Sequence, residues 1–576
     1  KLAEKGIELE IKVSDFAEDV FLGTLRATSP FRLKAIHSLG RLSPLVKKRT
    51  SNKSSSSASS KNEHLSTEKI FLTAACFLAG ASIMIVELAG NRLITPLFGN
   101  TMFTWTGLIG VVLVAIAAGD FLGGWLVDRR PDFKTLGLLF FAAGVTTLLV
   151  YPVFLAAQDS VAKWSPVTGP ILASLLLFSV PAFLLASVSP FIVRLLSRQF
   201  QDEKIGLSAG LVGMWGTLGS FLGTIGAGLF LIPNFSLTSI FVGVALCIFL
   251  LGVFSVLIFG KLKNKALLLF LTVAFMAGGL GVSSLKLPLQ DGEIAQHASF
   301  YHNIRVHDQK NTPSKTLRFL QLDTTMEGAQ IVESGELVFG YQKFWELLKI
   351  FAPTQVKESL FIGGGGFGMP EQLSKTFRDS AVTIVEIDPA IIEIGKKYFR
   401  LADYPDFRLV TSDGRRFLRE EKTDYDIIVG DAYSGVHTVP SHLTSLEFFR
   451  SLSNRLKPEG VFFMNLISAH SGKYSGAFRW LYRTLQQIFP SIMVFGVEGK
   501  DYSGVQNLVI VASKSDLEAR LQAASPVTDL RIAYMLASRI DLSEVGQEQG
   551  GGIIRDARNP MEWLMAKQVG AARTGR

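Results

Sequence analysis

Seven apolar stretches between residues 70 and 285 constrain this chain more than any other feature of its sequence. They cover residues 70–91, 103–126, 135–157, 170–193, 207–232, 237–259 and 265–284. A helix needs about 20 apolar residues to cross the hydrocarbon core of a bilayer, and each stretch reaches that length. The sequence therefore predicts a multi-pass membrane domain of about seven α-helices, with the lipid bilayer as its surroundings.

The composition of the whole chain supports this prediction. Hydrophobic residues make up 48% of the 576 residues and charged residues only 19%, whereas an average soluble protein has about 25% charged residues. Together with a mean hydropathy of +0.32, these values exclude a purely soluble enzyme, a disordered chain and a nucleic-acid-binding protein driven by bulk charge. Cys76 and Cys247 are too few for a disulfide scaffold or a four-cysteine zinc site. We expect no metal and no nucleic-acid partner.

The distribution of lysine and arginine predicts the orientation of the helices. Basic residues concentrate in the N-terminal segment and in the loops at 129–134, 198–204 and 261–265. Because basic loops stay in the cytoplasm, the N-terminus is expected on the cytoplasmic side of the membrane. Seven crossings then place everything after residue 285 on the outer side, and a change of one span would reverse this.

A few ionisable residues receive plainer interpretations. Asp120 lies deepest in the apolar stretches, and Arg92 is its expected structural partner. His297, His302 and His307 are spaced by five, which places them on no shared helical or strand face. We interpret these histidines as surface or hairpin residues rather than metal ligands.

After residue 286 the sequence pattern changes to short β-type runs that alternate with amphipathic segments. Candidate strands lie at 358–362, 381–387, 407–411, 425–430, 461–466, 491–497 and 507–512, with candidate helices from 369 and at 389–399, 445–456 and 474–488. Strands that alternate with helices predict an α/β, doubly wound parallel sheet, here a seven-stranded Rossmann-like sheet of the class I methyltransferase type. The last two strands have no helix between them, which predicts an antiparallel edge.

A glycine-rich turn follows the first strand of this predicted sheet. Residues 363–368 read Gly-Gly-Gly-Gly-Phe-Gly and open a helix. Such a turn lets a ligand approach the backbone and presents helix N-terminal amides, so Gly363, Gly364 and Gly365 are candidate ligand contacts. Glu386 ends the next strand, where an acid can accept hydrogen bonds from both hydroxyls of a ribose.

Acidic residues also follow the third and fourth strands. Asp413 is placed to read the amino group of an adenine, and Asp431 to face the reacting centre. Acids at three successive strand ends fit an S-adenosyl-type nucleoside better than a dinucleotide, although the glycine spacing satisfies both. The alternative is the same fold with a ligand site that has been lost. His442, which flanks the Asp431 loop, is interpreted as a residue that orders this loop.

In these residues and in their order, the C-terminal half resembles the polyamine aminopropyltransferases (spermidine synthases). It resembles most the bacterial members that are fused to an N-terminal multi-span region. This resemblance implies the inner membrane of a bacterium, with the C-terminal domain on the periplasmic side. Residues 299–306 are similar to the family's opening Ser-Pro-Tyr-Gln hairpin, and residues 556–562 resemble its closing Asp-Asp-x-x-Pro-Val-Glu. Between them, residues 322–323, 341–342, 363–368, 385–389 and 425–435 match in sequence order.

The resemblance implies a reaction and a role for individual residues. It implies transfer of an aminopropyl group from decarboxylated S-adenosylmethionine to an amine. Asp431 would be the base that activates the amine, and Tyr341 would orient it. The contacts to the amine substrate would come from Glu336, Gln342 and Ser434.

Two departures from the family pattern remove negative charge from the site. Gly366 stands where the family carries an aspartate that holds the donor's amine. Ser434 stands where soluble enzymes have an aspartate that grips the diamine. Each lost carboxylate removes a charge-assisted hydrogen bond to an ammonium group. We therefore expect weak activity on short diamines, because Glu336 alone does not offset both losses.

Three functions remain open at this point. The first is a membrane-anchored aminopropyltransferase. The second is a catalytically inactive subunit that uses the fold to bind a membrane protein partner, in an oligomer or a larger complex. The third is an S-adenosylmethionine-dependent methyltransferase, in which Gly366 makes room for the carboxylate of the methyl donor.

The sequence predicts five segments in order along the chain. They are a polar N-terminal segment with a serine-rich linker (1–69), the transmembrane domain (70–285), a small β-domain (286–345), the nucleoside-binding domain (346–515) and a C-terminal helical tail (516–576).

Overall fold

The computed structural model describes residues 55–574, except 201–203, 261–264, 286–290, 313, 434–438, 544 and 546–550. Residues Leu65–Arg576 form one compact unit.

Seven helices in the described chain are long and apolar enough to cross a membrane, judged by length and composition only. They are Thr67–Phe98, Met102–Arg129, Phe133–Val161, Gly169–Gln199, Ile205–Asn234, Leu237–Phe259 and Lys265–Ser284. Their number and order match the sequence expectation. We label their α-helical parts α1 (Ser55–Phe98), α2 (Met102–Arg129), α3 (Phe133–Val161), α4 (Gly169–Ala186), α5 (Val188–Gln199), α6 (Ile205–Gly226), α7 (Leu237–Phe254) and α8 (Lys265–Ser284).

Small residues let these helices pack closely. A Cβ atom placed on Gly219 of α6 would lie 2.0 Å from the carbonyl oxygen of Phe77 in α1, and one on Gly223 would lie 2.7 Å from Cα of Ala81. Only glycine fits at such backbone contacts, which are a common way for apolar helices to associate in lipid.

A four-stranded antiparallel sheet follows the helices. Its strands β1 (Glu293–Ala298), β2 (Asn303–Thr312), β3 (Lys315–Leu322) and β4 (Thr325–Ile331) lie side by side in sequence order. Short helical turns at residues 340–351 lead from this sheet into the next one.

A seven-stranded sheet forms the centre of the C-terminal half, which confirms the predicted Rossmann-like fold. Its strands lie in the order β10-β11-β9-β8-β5-β6-β7, and the five from β9 to β7 are parallel. β11 pairs antiparallel with both neighbours, as the missing last helix predicts. The strands are β5 (Glu358–Ile362), β6 (Ala381–Glu386), β7 (Arg408–Thr411), β8 (Tyr425–Gly430), β9 (Leu456–Ser468), β10 (Ser491–Gly496) and β11 (Gln506–Ser513).

Helices cover both faces of this sheet, because its strands are apolar on both sides. Phe361, Ile384 and Val429 pack into one buried cluster, while their neighbours Leu360 and Val385 pack into another on the opposite face. The helices are α9 (Gly368–Thr376), α10 (Pro389–Tyr398), α11 (Gly414–Glu420), α12 (Leu446–Asn454), α13 (Gly476–Leu485), α14 (Leu517–Ala523), α15 (Leu530–Ala537) and α16 (Met561–Thr574).

Candidate functional site

A cavity of about 360 Å³ lies at the carboxyl ends of β5, β6, β7 and β8. This edge of a parallel sheet is where ligands bind in doubly wound folds. The cavity walls also include the β1–β2 turn, β4, and the end of α1 with its following loop. Three of the predicted acids, Glu386, Asp413 and Asp431, line it together.

The glycine turn forms the floor of the cavity. Gly363 and Gly365 line it, with φ angles of +100° and +49° that favour glycine. A Cβ atom on Gly363 would lie 2.5 Å from the carbonyl oxygen of Asp431, so a side chain is excluded there. Gly364 acts differently: its N–H donates to Oε2 of Glu386 at 2.8 Å and so positions the acid.

Glu386 ends β6 with a buried carboxyl group that is held in place by the backbone. Its Oε2 accepts from Gly364, and its Oε1 accepts from the N–H of Asp388 at 3.0 Å. Burial raises the pKa of Glu386, although these two hydrogen bonds oppose the shift. Each carboxylate oxygen has a second lone pair, and these can accept hydrogen bonds from a ribose.

Asp413 caps the N-terminus of α11 and pairs with a histidine. Its Oδ1 accepts from the N–H of Arg416 at 2.8 Å, and its Oδ2 lies 2.6 Å from Nε2 of His442. Burial raises the pKa of Asp413, but these two bonds outweigh it and hold the pKa below its usual value. The carboxylate is therefore an acceptor at neutral pH, and His442 orients it.

Asp431 directly follows β8 and lies beside two hydrogen-bond donors. The Oη atom of Tyr341 and the Nδ2 atom of Asn465 each lie 3.4 Å from one of its carboxylate oxygens. Burial and the nearby carboxyl group of Glu327 raise the pKa of Asp431 to about 7. A base with a pKa near neutrality is suited to accept a proton and to release it again.

The structure does not bring all predicted substrate contacts to the cavity. Glu336 is exposed in the turn after β4 and is absent from the cavity lining, which corrects its expected role. The turn is closed by the hydrogen bond from Ile331 N–H to the Glu336 carbonyl oxygen, which keeps the side chain on the surface. Gln342, the residue after Tyr341, is buried and is also absent from the cavity lining. Ser434 lies outside the described residues.

Several residues that line the cavity were not predicted from sequence patterns. Glu327 of β4 and Tyr433 line the cavity beside Asp431. His302 lies in the β1–β2 turn, in agreement with its interpretation as a hairpin residue, and it also lines the cavity. Its Nδ1 lies 3.0 Å from Oδ2 of Asp323. Burial lowers the pKa of His302, but Asp323 outweighs burial and raises it. The sequence signal that could have placed His302 at the cavity is its position in residues 299–306, which are similar to the family's opening hairpin.

The helical half supplies part of the cavity wall. Thr95 near the end of α1 and Asn100 in the α1–α2 loop both line the cavity. Arg92 of α1 donates to the carbonyl oxygens of Ser299 at 2.6 Å and Tyr301 at 3.1 Å, in the β1–β2 turn. Arg92 therefore anchors the cavity wall, and the expected pairing with Asp120 is wrong.

A second contact joins the start of α2 to the C-terminal helix. The N–H of Met102 donates to Oε2 of Glu562, the second residue of α16, at 3.2 Å. Glu562 also lines the cavity, so residues from both ends of the described chain contribute to one wall.

Comparisons with known proteins agree with this site. Residues 339–521, which include Tyr341, the glycine turn and all three strand-end acids, match the model of the spermine/spermidine synthase domain. Polyamine aminopropyltransferase 1 of Streptomyces coelicolor is 24% identical over 427 residues, which cover 69% of this chain and 76% of the relative. Polyamine aminopropyltransferase 2 of Aquifex aeolicus is 24% identical over 408 residues, covering 67% and 77%.

Both alignments include part of the helical half, because the residues after 285 make up only about half of the chain. Among solved structures, a probable spermidine synthase from Corynebacterium glutamicum matches 46% of this chain and 96% of its own, with 17% identity and a TM-score of 0.39. Through residues 339–521, which match the spermine/spermidine synthase domain, the chain is similar to the polyamine aminopropyltransferases (spermidine synthases).

Proposed function

We propose that the chain is a membrane-anchored aminopropyltransferase that uses decarboxylated S-adenosylmethionine as donor and a small amine as acceptor. The observation that carries the proposal is the placement of three acids around one cavity. Glu386 and Asp413 line the cavity as the groups that would hold a ribose and an adenine, and Asp431 lies beside Tyr341 where the reacting atoms would sit.

The residues support a direct displacement. The nitrogen of the acceptor amine attacks the methylene carbon next to the donor's sulfonium ion. The new C–N bond forms as the C–S bond breaks, and the electron pair of that bond neutralises the sulfur to give 5′-methylthioadenosine. Asp431 takes the proton from the amine nitrogen, because an ammonium has no lone pair for attack.

The basic loops lie at one end of the helical half. Their position relative to the C-terminal half bears on which side of the membrane the C-terminal half occupies. Glu68 near the start of the α1 span lies close to the basic loops, with Gln199 Nε2 donating to its Oε2 at 3.0 Å. Arg92, 24 residues later, contacts the β1–β2 turn. At 1.5 Å per helical residue the two lie about 36 Å apart, which exceeds the hydrocarbon core. The C-terminal half is therefore at the helix ends opposite the basic loops.

This arrangement favours the predicted periplasmic side, whereas the donor nucleoside is made in the cytoplasm. Protease accessibility of residues 346–515 in inverted and right-side-out vesicles tests the orientation directly. Cleavage in inverted vesicles places the site beside the cytoplasmic donor and supports transfer. Cleavage only in right-side-out vesicles deprives the site of that donor and supports the inactive-subunit alternative.

The activity itself is tested with the purified full-length protein in detergent. Decarboxylated S-adenosylmethionine is supplied with a panel of diamines and triamines, and release of 5′-methylthioadenosine is measured by liquid chromatography and mass spectrometry. We expect product with at least one amine and none from Asp431→Asn. Methyl transfer from intact S-adenosylmethionine would support the methyltransferase alternative. Nucleoside binding without turnover of either donor would support the inactive subunit.

A further inference from the structure

The donor's ammonium group needs a carboxylate that the glycine turn does not provide, because position 366 is a glycine. The structure shows what lies next to that position. Gly366 packs against Gly328 of β4, and a Cβ atom on Gly328 would lie 2.6 Å from the backbone nitrogen of Gly366. The glycine turn and β4 are thus in direct backbone contact at the point where the acid is missing.

Glu327 directly precedes Gly328 and is the acid of β4 that lines the cavity. Its carbonyl oxygen would lie 3.5 Å from a Cβ atom on Gly365, so its backbone also borders the glycine turn. The Oγ1 atom of Thr325 donates to Oε1 of Glu327 at 2.6 Å, which fixes the position of the carboxyl group.

The charge of this carboxyl group is not balanced by a lysine or arginine. No such residue in the described parts of the chain forms an ion pair with Glu327 or with Asp431. The charge of His302 acts on Glu327, and the Nδ1 atom of this histidine lies 3.0 Å from Oδ2 of Asp323. Because an unpaired carboxylate is costly to bury, a ligand cation that reaches both acids would be bound strongly.

We propose that Glu327 binds the primary ammonium group of the donor's aminopropyl chain and so replaces the aspartate that is absent at position 366. The inference rests on the proposed function and specifies its donor. In this assignment the carboxylate that binds the ammonium group belongs to β4 rather than to the neighbouring glycine turn. The loss of charge at Gly366 is therefore offset within the site.

This assignment also discriminates between the two candidate donors. Intact S-adenosylmethionine carries a carboxylate beside its ammonium group, and decarboxylated S-adenosylmethionine does not. The paired acids Glu327 and Asp431 repel that extra carboxylate, because like charges in a poorly solvated site disfavour each other. The site is thus selective for the decarboxylated donor, and Gly366 does not create a carboxylate pocket.

The experiment compares two ligands that differ in the ammonium group. Affinities of the full-length protein in detergent are measured by calorimetry for decarboxylated S-adenosylmethionine and for 5′-methylthioadenosine, which lacks the aminopropyl chain. Glu327→Gln should weaken binding of the donor by roughly ten- to a hundredfold. It should leave the affinity for 5′-methylthioadenosine within about twofold. Glu393→Gln, an exposed acid on α10, is the matched control and should change neither affinity.

A second variant moves the charge back to the glycine turn. A Cβ atom on Gly366 would be at an ordinary contact distance of 3.4 Å from Cα of Gly328, so an aspartate fits there. In the Glu327→Gln background, Gly366→Asp should restore most of the donor affinity.

Three outcomes would overturn the proposal: unchanged donor affinity in Glu327→Gln, an equal loss for both ligands, or no rescue by Gly366→Asp. These results separate the two proposals. A wild-type protein that binds the donor no more tightly than 5′-methylthioadenosine refutes the role of Glu327, while turnover still decides the proposed function. Conversely, selective loss of donor binding in Glu327→Gln without any turnover supports Glu327 and refutes transfer.

Discussion

Oη of Tyr341 lies 3.4 Å from Oδ2 of Asp431, at the long end of the hydrogen-bond range. The amide of Asn465 approaches the other oxygen at the same distance. Asp431 is thus oriented by two weak donors and keeps its capacity to accept a further proton. Catalytic hydrogen bonds of this kind often shorten only when the substrate is bound.

Asp431→Asn should abolish transfer, because an amide cannot take the proton of the attacking amine. Tyr341→Phe should lower kcat by about ten- to a hundredfold, which is less than the roughly 10²–10⁴-fold that a general base itself contributes, because Tyr341 only orients the base. Both are measured as 5′-methylthioadenosine release under saturating donor. Tyr398→Phe, on the surface helix α10, serves as control. Normal turnover by Asp431→Asn would show that another group is the base.

The rate of transfer should depend on pH with a midpoint near 7. In the proposed reaction the ionised form of Asp431 is the base, and burial together with Glu327 raises its pKa to about 7. The value of kcat/KM should therefore fall as the pH drops below 7 and reach a plateau above it. Burial also raises the pKa of Glu327. The other ionisable groups near Asp431 are Tyr341 and Tyr433, and burial raises the pKa of both well above its usual value.

The same profile tests the coupling between Glu327 and Asp431. Glu327→Gln removes a neighbouring negative charge, so the midpoint should move to lower pH. An unchanged midpoint in this variant would mean that burial alone sets the pKa of Asp431.

Glu386→Gln should weaken binding of 5′-methylthioadenosine. The amide keeps one acceptor oxygen, but its NH₂ group faces the N–H of Gly364 or Asp388, with which the carboxylate now forms hydrogen bonds. A lost hydrogen bond to a charged acceptor costs about 1.5–3 kcal/mol, which calorimetry would detect as roughly a ten- to a hundredfold rise in Kd. Retained affinity would place the ribose elsewhere.

Asp413→Asn should change the base preference of the site. A carboxylate accepts from the 6-amino group of adenine and repels the 6-oxo group of hypoxanthine, whereas an asparagine can donate to the latter. We expect the wild-type protein to prefer 5′-methylthioadenosine over 5′-methylthioinosine and the variant to lose most of this preference. Asp379→Asn, at an exposed acid, is the control. Equal preferences in both proteins would contradict adenine recognition by Asp413.

Arg92→Met should weaken nucleoside binding although residue 92 belongs to the helical half. The β1–β2 turn would lose two charge-assisted hydrogen bonds, and His302 at the cavity would lose its support. We expect about a tenfold rise in Kd for 5′-methylthioadenosine. Arg129 is the last residue of α2, at the end of that helix away from Met102 and the cavity, and Arg129→Met should leave the Kd unchanged. If both variants behave alike, the contact has no role in binding.

The sequence predicted the part of the site that depends on local patterns. Glu386, Asp413 and Asp431 each follow a strand, and parallel strands bring their carboxyl ends to one edge of the sheet. Local sequence patterns could not show whether Glu327 or Glu336 reaches the cavity. Both precede Tyr341, but a register shift between Leu320 and Gln321 and the turn after β4 decide which acid reaches the cavity. The contact of Arg92 with the β1–β2 turn joins residues about 200 positions apart, and no periodicity encodes it.

The anchoring of the cavity wall by Arg92 makes the rotational phase of α1 part of the binding site. Each residue advances an α-helix by about 100° and 1.5 Å. A single inserted residue between Arg92 and Thr95 would therefore turn the guanidinium group away from the β1–β2 turn while Thr95 stayed at the wall. Point substitutions on the outward-facing surface of α1 should be tolerated there, whereas insertions and deletions near its end should not. A library of single-codon insertions along α1 would reveal this phase dependence as a sharp boundary.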